Sequence, residues 1–166
     1  MRIDWFLFLS AGVLAGLGLL AIWSVDLAQD PENFLNFKKQ LIFVGVGIVV
    51  ALCGAIFDYR ALRSMSRALY VLGAILLVAV VIFGVTIRGT RGWFQIGGFT
   101  LQPVEFAKIL LIVALAKYLS VKAHVIDFKV FIGVGALVGI YTGLVMLQPD
   151  FGSALVLISI AAGMLI

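Results

Sequence analysis

Two short stretches of this sequence combine residue types that could do chemistry, and both open apolar runs. In "QPVEFAKILL", Gln102 and Pro103 precede Glu105 and Lys108; in "QPDFGSALV", Pro149 precedes Asp150. A helical i,i+3 spacing places Glu105 and Lys108 on one face, where carboxylate and ammonium can pair. Lys108 lies about five residues into its run, roughly 8 Å deep at 1.5 Å per residue. An ionisable side chain at that depth costs several kcal/mol if it faces lipid, so these groups must meet protein or water and find partners there. Two uses fit. A neutralised cluster of Glu105, Lys108 and Asp150 would fix helix packing. The same groups could instead line a polar cavity used by a substrate or ion. A buried ion pair can serve both ends, and the residues alone leave the choice open.

Upstream of the first stretch, residues 86–102 form a polar-aromatic segment carrying Arg88, Arg91 and Trp93. Paired guanidinium groups bind phosphate bidentately, and an indole sits readily at a membrane interface. Ordinary headgroup contact is the simpler use of the same residues. Within the segment, "WFQIGGFTL" alternates around Gly97-Gly98, a hairpin signal, while "GGF" is too short to cradle a phosphate. No Walker loop and no Ser-His-Asp set occurs. Cys53 and His124 are the sole cysteine and histidine, and a structural zinc site needs about four such ligands, so no metal centre and no intrachain disulfide can be built.

The elements that position these residues must be membrane helices. Of the 166 residues, 64% are hydrophobic and only 12% charged, against roughly a quarter charged in soluble domains. Several runs reach the ~20 residues needed to cross the hydrocarbon core as helix, and they do not alternate as barrel strands would. The first run is too long for the apolar segment of a signal peptide and lacks a cleavage site after it. The expected fold is all-α: a polytopic transmembrane bundle, a single membrane domain over 1–166, with five complete helices and a truncated sixth. Their expected spans are Trp5–Ser24, Gln40–Phe57, Ala68–Val85, Pro103–Leu119 and Phe128–Leu147, then a run from Phe151. Pro103 suits a first helical turn, and Glu105 suits its dipole. The last run stops at Ile166 after 16 residues, so a longer parent protein is expected.

Lysine and arginine placement orients the bundle. With the N-terminus inside, Arg2, Arg60, Arg63, Arg67, Lys117, Lys122 and Lys129 are cytoplasmic, and Lys38, Lys39, Arg88 and Arg91 lie outside. The 86–102 loop and the QPD turn then face outward. Gly12/Gly16 and Gly135/Gly139/Gly143 recur at four-residue spacing, which predicts close helix packing.

"RGTRGWFQIGGFTLQPVEFAK" and "QPDFGSALV" together resemble the signatures of the SEDS proteins (shape, elongation, division and sporulation), the RodA/FtsW/SpoVE group. Their patterns read approximately G-A-x-R-W-(I/L)-x-(I/L)-G, Q-P-S-E-F-A-K and Q-P-D-L-G-T-A, and "AIWS" resembles the end of the family's first helix. The resemblance runs through the whole chain in order. Gly92 stands in place of the arginine before the tryptophan, Val104 replaces serine, and Phe151 and Ser153 replace leucine and threonine.

The resemblance implies a protein of about ten helices in the bacterial inner (cytoplasmic) membrane that polymerises lipid II into glycan strands beside a class B penicillin-binding protein. It implies no nucleic-acid partner and no organic cofactor, though a divalent cation is compatible with the family. The catalytic aspartate of the family lies in a loop of the second half, beyond Ile166. Glu105, Lys108 and Asp150 carry over as central-cavity residues, with Lys108 and Asp150 implied as a structural ion pair across helices. Arg88, Arg91, Trp93 and Gln102 carry over as part of an outward, substrate-facing loop. The wording of that loop leans toward the elongation branch. A carrier or flippase for a lipid-linked precursor is the competing reading of the intramembrane charges.

Overall fold

The computed structural model describes residues 5–29, 34–56, 59–97, 99–122 and 127–165. Among them the chain forms six helices and three strands: α1 (Trp5–Gln29), α2 (Leu35–Ile56), α3 (Tyr59–Phe83), β1 (Val85–Ile87), β2 (Thr90–Ile96), β3 (Phe99–Leu101), α4 (Pro103–Lys122), α5 (Phe128–Met146) and α6 (Phe151–Leu165). Four helices are long and apolar enough to cross a membrane: α1, α2, α3 and α5. At 20 residues α4 has the length, but it carries Glu105, Lys108, Lys117 and Lys122. With 15 residues, α6 rises only about 22 Å, short of the ~30 Å core. His124, Arg2 and Gly98 lie outside the described residues.

Two compact units make up the chain, residues 1–58 and 59–166. In the first, α1 packs on α2. Here α1 runs beyond Ser24 because Asp26 has partners: its carboxylate accepts from Asn36 Nδ2 at 2.8 Å and Phe37 N at 2.9 Å. The first turn of α2 has N–H groups with no partner of their own, and the end of α1 supplies an acceptor for one. That cap also explains why α2 starts at Leu35 rather than Gln40.

In the second unit, buried positions repeat at three- and four-residue spacing. Val104, Ala107, Leu111 and Leu115 line one face of α4; Val130, Val134, Val138, Tyr141 and Val145 line α5; Ala154, Leu157 and Ala161 line α6. Such spacing collects side chains on one stripe. The remaining faces are equally apolar: Ile109, Ile132 and Leu155 are exposed, which suits lipid and not water. The segment "YRALRSMSR", expected as a connection, is the first part of α3, because alanine, leucine, arginine and methionine all favour helix.

Tyrosines join α3 to α5. Tyr141 Oη donates to Tyr70 O at 2.7 Å, Tyr70 Oη donates to Leu137 O at 2.9 Å, and the rings stack at 4.8 Å. A Cβ at Gly73 would overlap the Tyr141 hydroxyl, and one at Gly133 would overlap that of Tyr118. Among the described helix glycines, these two admit the close approach of a side chain from another helix. Gly12, Gly16, Gly135, Gly139 and Gly143 have nothing of the described chain within 4 Å of an added Cβ, so the expectation that they form packing faces is not met within this chain. The spacing of the small residues was read without knowing which side chains oppose them.

Gly73→Ala should destabilise the unfolding transition in detergent by about 1–3 kcal/mol, the usual cost of overpacking. In a Tyr141→Phe background, which removes the overlapping hydroxyl, the same change should cost less. An equal cost in both backgrounds would show that Gly73 does not serve to admit that hydroxyl.

Candidate functional site

Strands β1, β2 and β3 form an antiparallel meander over residues 85–101. Arg88 (φ 51°) and Gly89 (φ 86°) form the first turn, the left-handed two-residue geometry that matches strand twist. Holding a non-glycine residue there costs about 1 kcal/mol and puts Arg88 at an exposed tip. The expected hairpin forms around the second turn, with Phe94, Gln95 and Ile96 opposite Leu101, Thr100 and Phe99, and Gly97 takes φ 54°. Trp93 pairs with Val85 and is half-buried.

Arg91 stitches this sheet to the bundle. Its Nε donates to Gly84 O at 3.2 Å and its Nη2 to Ile82 O at 3.0 Å. These carbonyls end α3, where a cation also complements the helix dipole. Its backbone N–H donates to Gln148 O at 3.3 Å. The two expected loop cations thus separate: Arg91 is engaged with α3, and Arg88 has no partner among the described residues.

The two Gln-Pro doublets meet. Gln102 O accepts from Glu105 N at 3.1 Å, starting α4, while Gln102 Nε2 donates to Asp150 Oδ2 at 3.0 Å. Asp150 begins α6 as its cap: Oδ1 accepts from Ser153 N at 3.0 Å, Oδ2 accepts from Ser153 Oγ at 2.7 Å, and Asp150 O accepts from Ala154 N at 3.1 Å. A side-chain carboxylate bonded to the third helical N–H is a strong N-cap. Lys108 Nζ turns instead to Glu105, 2.8 Å away, with the two side chains 18% and 56% exposed. The expected Lys108–Asp150 pair is not formed. Asp150 is already engaged by local donors, and Lys108 has a carboxylate one turn away on its own helix.

Sequence reasoning passed over Gln148. It is 1% exposed, its Nε2 donates to Leu77 O at 3.5 Å, and its Oε1 has no partner. An added Cβ at Gly92 would stand 3.0 Å from that oxygen, so glycine here leaves the oxygen room. A buried acceptor without a donor costs about 1–3 kcal/mol. The repeated Gln-Pro doublet was the available signal. Gln102, Gln148 and Asp150 thus gather where β2 meets the starts of α4 and α6. Among the described residues no three His, Cys, Asp or Glu side chains converge to hold a metal. Glu105 is engaged with Lys108 and Asp150 with a cap, so this donor set does not fit a divalent cation.

Double-mutant cycles separate these pairings. Gln102→Ala and Asp150→Asn should couple by at least 0.5 kcal/mol, as directly bonded side chains do. Lys108→Met and Asp150→Asn should be additive within about 0.5 kcal/mol. Strong coupling in the second cycle, measured by unfolding in detergent, would restore the cross-helix ion pair.

A family profile for FtsW, RodA and SpoVE, described as a cell cycle protein, matches residues 4–166. A probable peptidoglycan glycosyltransferase FtsW from Trichlorobacter lovleyi is 34% identical over 170 residues, covering 98% of this chain and 45% of the relative. A crystal structure of a point mutant of the Thermus thermophilus rod shape determining protein RodA superposes with a TM-score of 0.82 at 30% identity, covering 95% of this chain and 51% of that one. A peptidoglycan synthase complex, studied for how it coordinates polymerization and crosslinking, contains a chain that superposes with a TM-score of 0.81 at 30% identity, covering 95% of this chain and 45% of that one. The chain spans 35% to 45% of the length of such curated relatives. With the profile, the fold and both Gln-Pro motifs in agreement, the chain belongs to the FtsW/RodA/SpoVE family of cell cycle proteins.

Proposed function

We propose that this chain contributes the first half of a peptidoglycan glycosyltransferase that polymerises lipid II in the bacterial inner membrane, with its N-terminus in the cytoplasm. The observation that carries the reading is the family match along almost the whole chain, with relatives named as glycosyltransferases at about one-third identity. In this reading the growing glycan passes from its undecaprenyl pyrophosphate carrier to a hydroxyl of the next disaccharide; the hydroxyl gives its proton to a base, and undecaprenyl pyrophosphate leaves. The partner is a class B penicillin-binding protein, a reading supported by the similarity to a chain of a synthase complex.

The local chemistry supports a positioning role for this half. Arg88, exposed at the tip of the meander, suits a pyrophosphate oxygen, because guanidinium presents paired donors to phosphate. Asp150 is a poor candidate for the general base. A base must reach the acceptor hydroxyl by hydrogen bond, and both of its oxygens are already engaged. The family resemblance implies a catalytic carboxylate outside these 166 residues, and the engagement of Asp150 supports that reading.

Two measurements test the proposal. The 166-residue chain alone should make no glycan strands from labelled lipid II, whereas a complete protein carrying these residues, with its transpeptidase, should. Strands made by the chain alone would return Asp150 to catalysis, and none from the complete complex would remove the polymerase reading. For orientation, Cys53 is first replaced by serine, since it is exposed. An impermeant thiol reagent applied outside the cell should then label Ile96→Cys and spare Arg63→Cys; the opposite pattern would invert the topology.

A further inference from the structure

At the end of α4 far from Gln102 and Asp150 lies a cavity of about 540 Å³ between α3 and α4, closed on one side by Leu137 of α5. Tyr70, Val71, Tyr118 and Val121 give it apolar walls, and Arg67, Lys117 and Lys122 supply its charge. A second cavity of about 290 Å³ shares Lys117 as a wall and adds Arg63. From Glu105 to Lys117 the helix rises about 18 Å at 1.5 Å per residue, so this site lies near the opposite face of the membrane from the candidate functional site.

The polar groups here lack partners. Arg67, Lys117 and Lys122 form no ion pair with any described residue, and Lys122 Nζ stands 5.7 Å from the centroid of the Tyr118 ring. Ser66, which also lines the cavity, is 3% exposed. Ser10, Ser64 and Ser120 each donate back to a carbonyl of their own helix. No such bond engages the Ser66 hydroxyl, which is left without a partner at the cavity wall. The nearest carboxylate in sequence, Asp127, is spent on capping α5 through Lys129 N.

Cations at a helix end, aliphatic and tyrosine walls, and the unpartnered hydroxyl of a largely buried serine together fit an amphiphile that is anionic at one end. We propose that this cavity binds an anionic phospholipid of the adjacent leaflet: the phosphate on Arg67, Lys117 and Lys122, the Ser66 hydroxyl donating to a phosphate or ester oxygen, and an acyl chain along Val71 and Val121. The cations near a membrane end attract anionic headgroups, their aliphatic stems extend over apolar surface, and a hydroxyl-to-phosphate bond is charge-assisted. The site does not depend on the polymerase reading.

Native mass spectrometry of the delipidated full chain, titrated with phosphatidylglycerol or phosphatidylcholine, tests this. Phosphatidylglycerol should bind with one preferred equivalent and phosphatidylcholine should not. Replacing Arg67, Lys117 and Lys122 together by glutamine should weaken the preferred equivalent by about 100-fold, from roughly fivefold per cation. Ser66→Ala, which keeps every charge and the helix, should weaken it by about threefold to tenfold. A charge-matched control, Lys38→Gln with Lys39→Gln, should leave it unchanged. Equal binding of both lipids, or full retention by the triple variant, would overturn the proposal. So would displacement of the lipid by millimolar inorganic phosphate, which would identify a free-phosphate site.

Discussion

Asp150 joins more of the second unit than any other side chain. Its carboxylate accepts from Gln102 at the start of α4 and from both donors of Ser153 in the first turn of α6. One anion thereby satisfies groups that would otherwise be stranded near the membrane, where no water replaces a lost partner. It also lies where two helix N-termini approach, the end at which a helix favours negative charge. The meander is tied to the same place, since Gln148, two residues earlier, receives the Arg91 N–H. Removing the carboxylate would free Gln102, uncap α6 and loosen the junction that holds the loop.

The constraint that polar groups must be satisfied inside the chain explains other features in the same terms. Asp26 survives inside a helix of apolar residues because Asn36 and Phe37 N–H come to it. Arg91 sits against the end of α3 because the last carbonyls of a helix have no partners of their own. Tyr141 and Tyr70 donate to backbone carbonyls across α3 and α5 while their rings pack face to face. In each case a polar residue in a greasy segment is explained by a specific unpaired backbone group.

Much of this was legible in the sequence. Apolar run length gave the helices, Pro103 marked the start of α4, and Gly97-Gly98 marked the second hairpin. The errors fall where a residue's partner lies elsewhere in the chain. Val25 to Gln29 read as loop because Asp26 is charged, yet its partners ten and eleven residues on keep it helical. The resemblance implies a pair between Lys108 and Asp150; spacing alone does not reveal that Asp150 is engaged by Gln102 and its own helix. The four-residue glycine spacing in α5 pointed to close packing, but the approach is made at Gly133, where Tyr118 fits. Gln148 carried a signal, the second Gln-Pro doublet, whose meaning appears only when both doublets are seen to converge.

The polar ends of α4 therefore behave differently. At its start every engaged group has a short, local partner: Glu105 with Lys108, Gln102 with Asp150, Asp150 with Ser153. Glu105 and Lys108 neutralise each other, the Asp150 carboxylate is satisfied by neutral donors, and geometry is fixed; what remains without a partner among the described residues is one buried amide oxygen and one exposed arginine. At its far end Lys117 and Lys122, with Arg67 across the groove, are left without anions, and the side chains between them are apolar. A junction whose carboxylates already have donors holds its elements in register and needs no added ion to complete its hydrogen bonds. An unneutralised basic rim over an apolar wall is complete only when an anionic, chain-bearing molecule occupies it. One helix thus carries two sites of opposite electrostatic logic, about 18 Å apart along its axis, and the chemistry each can accept follows from whether its charges were satisfied at home.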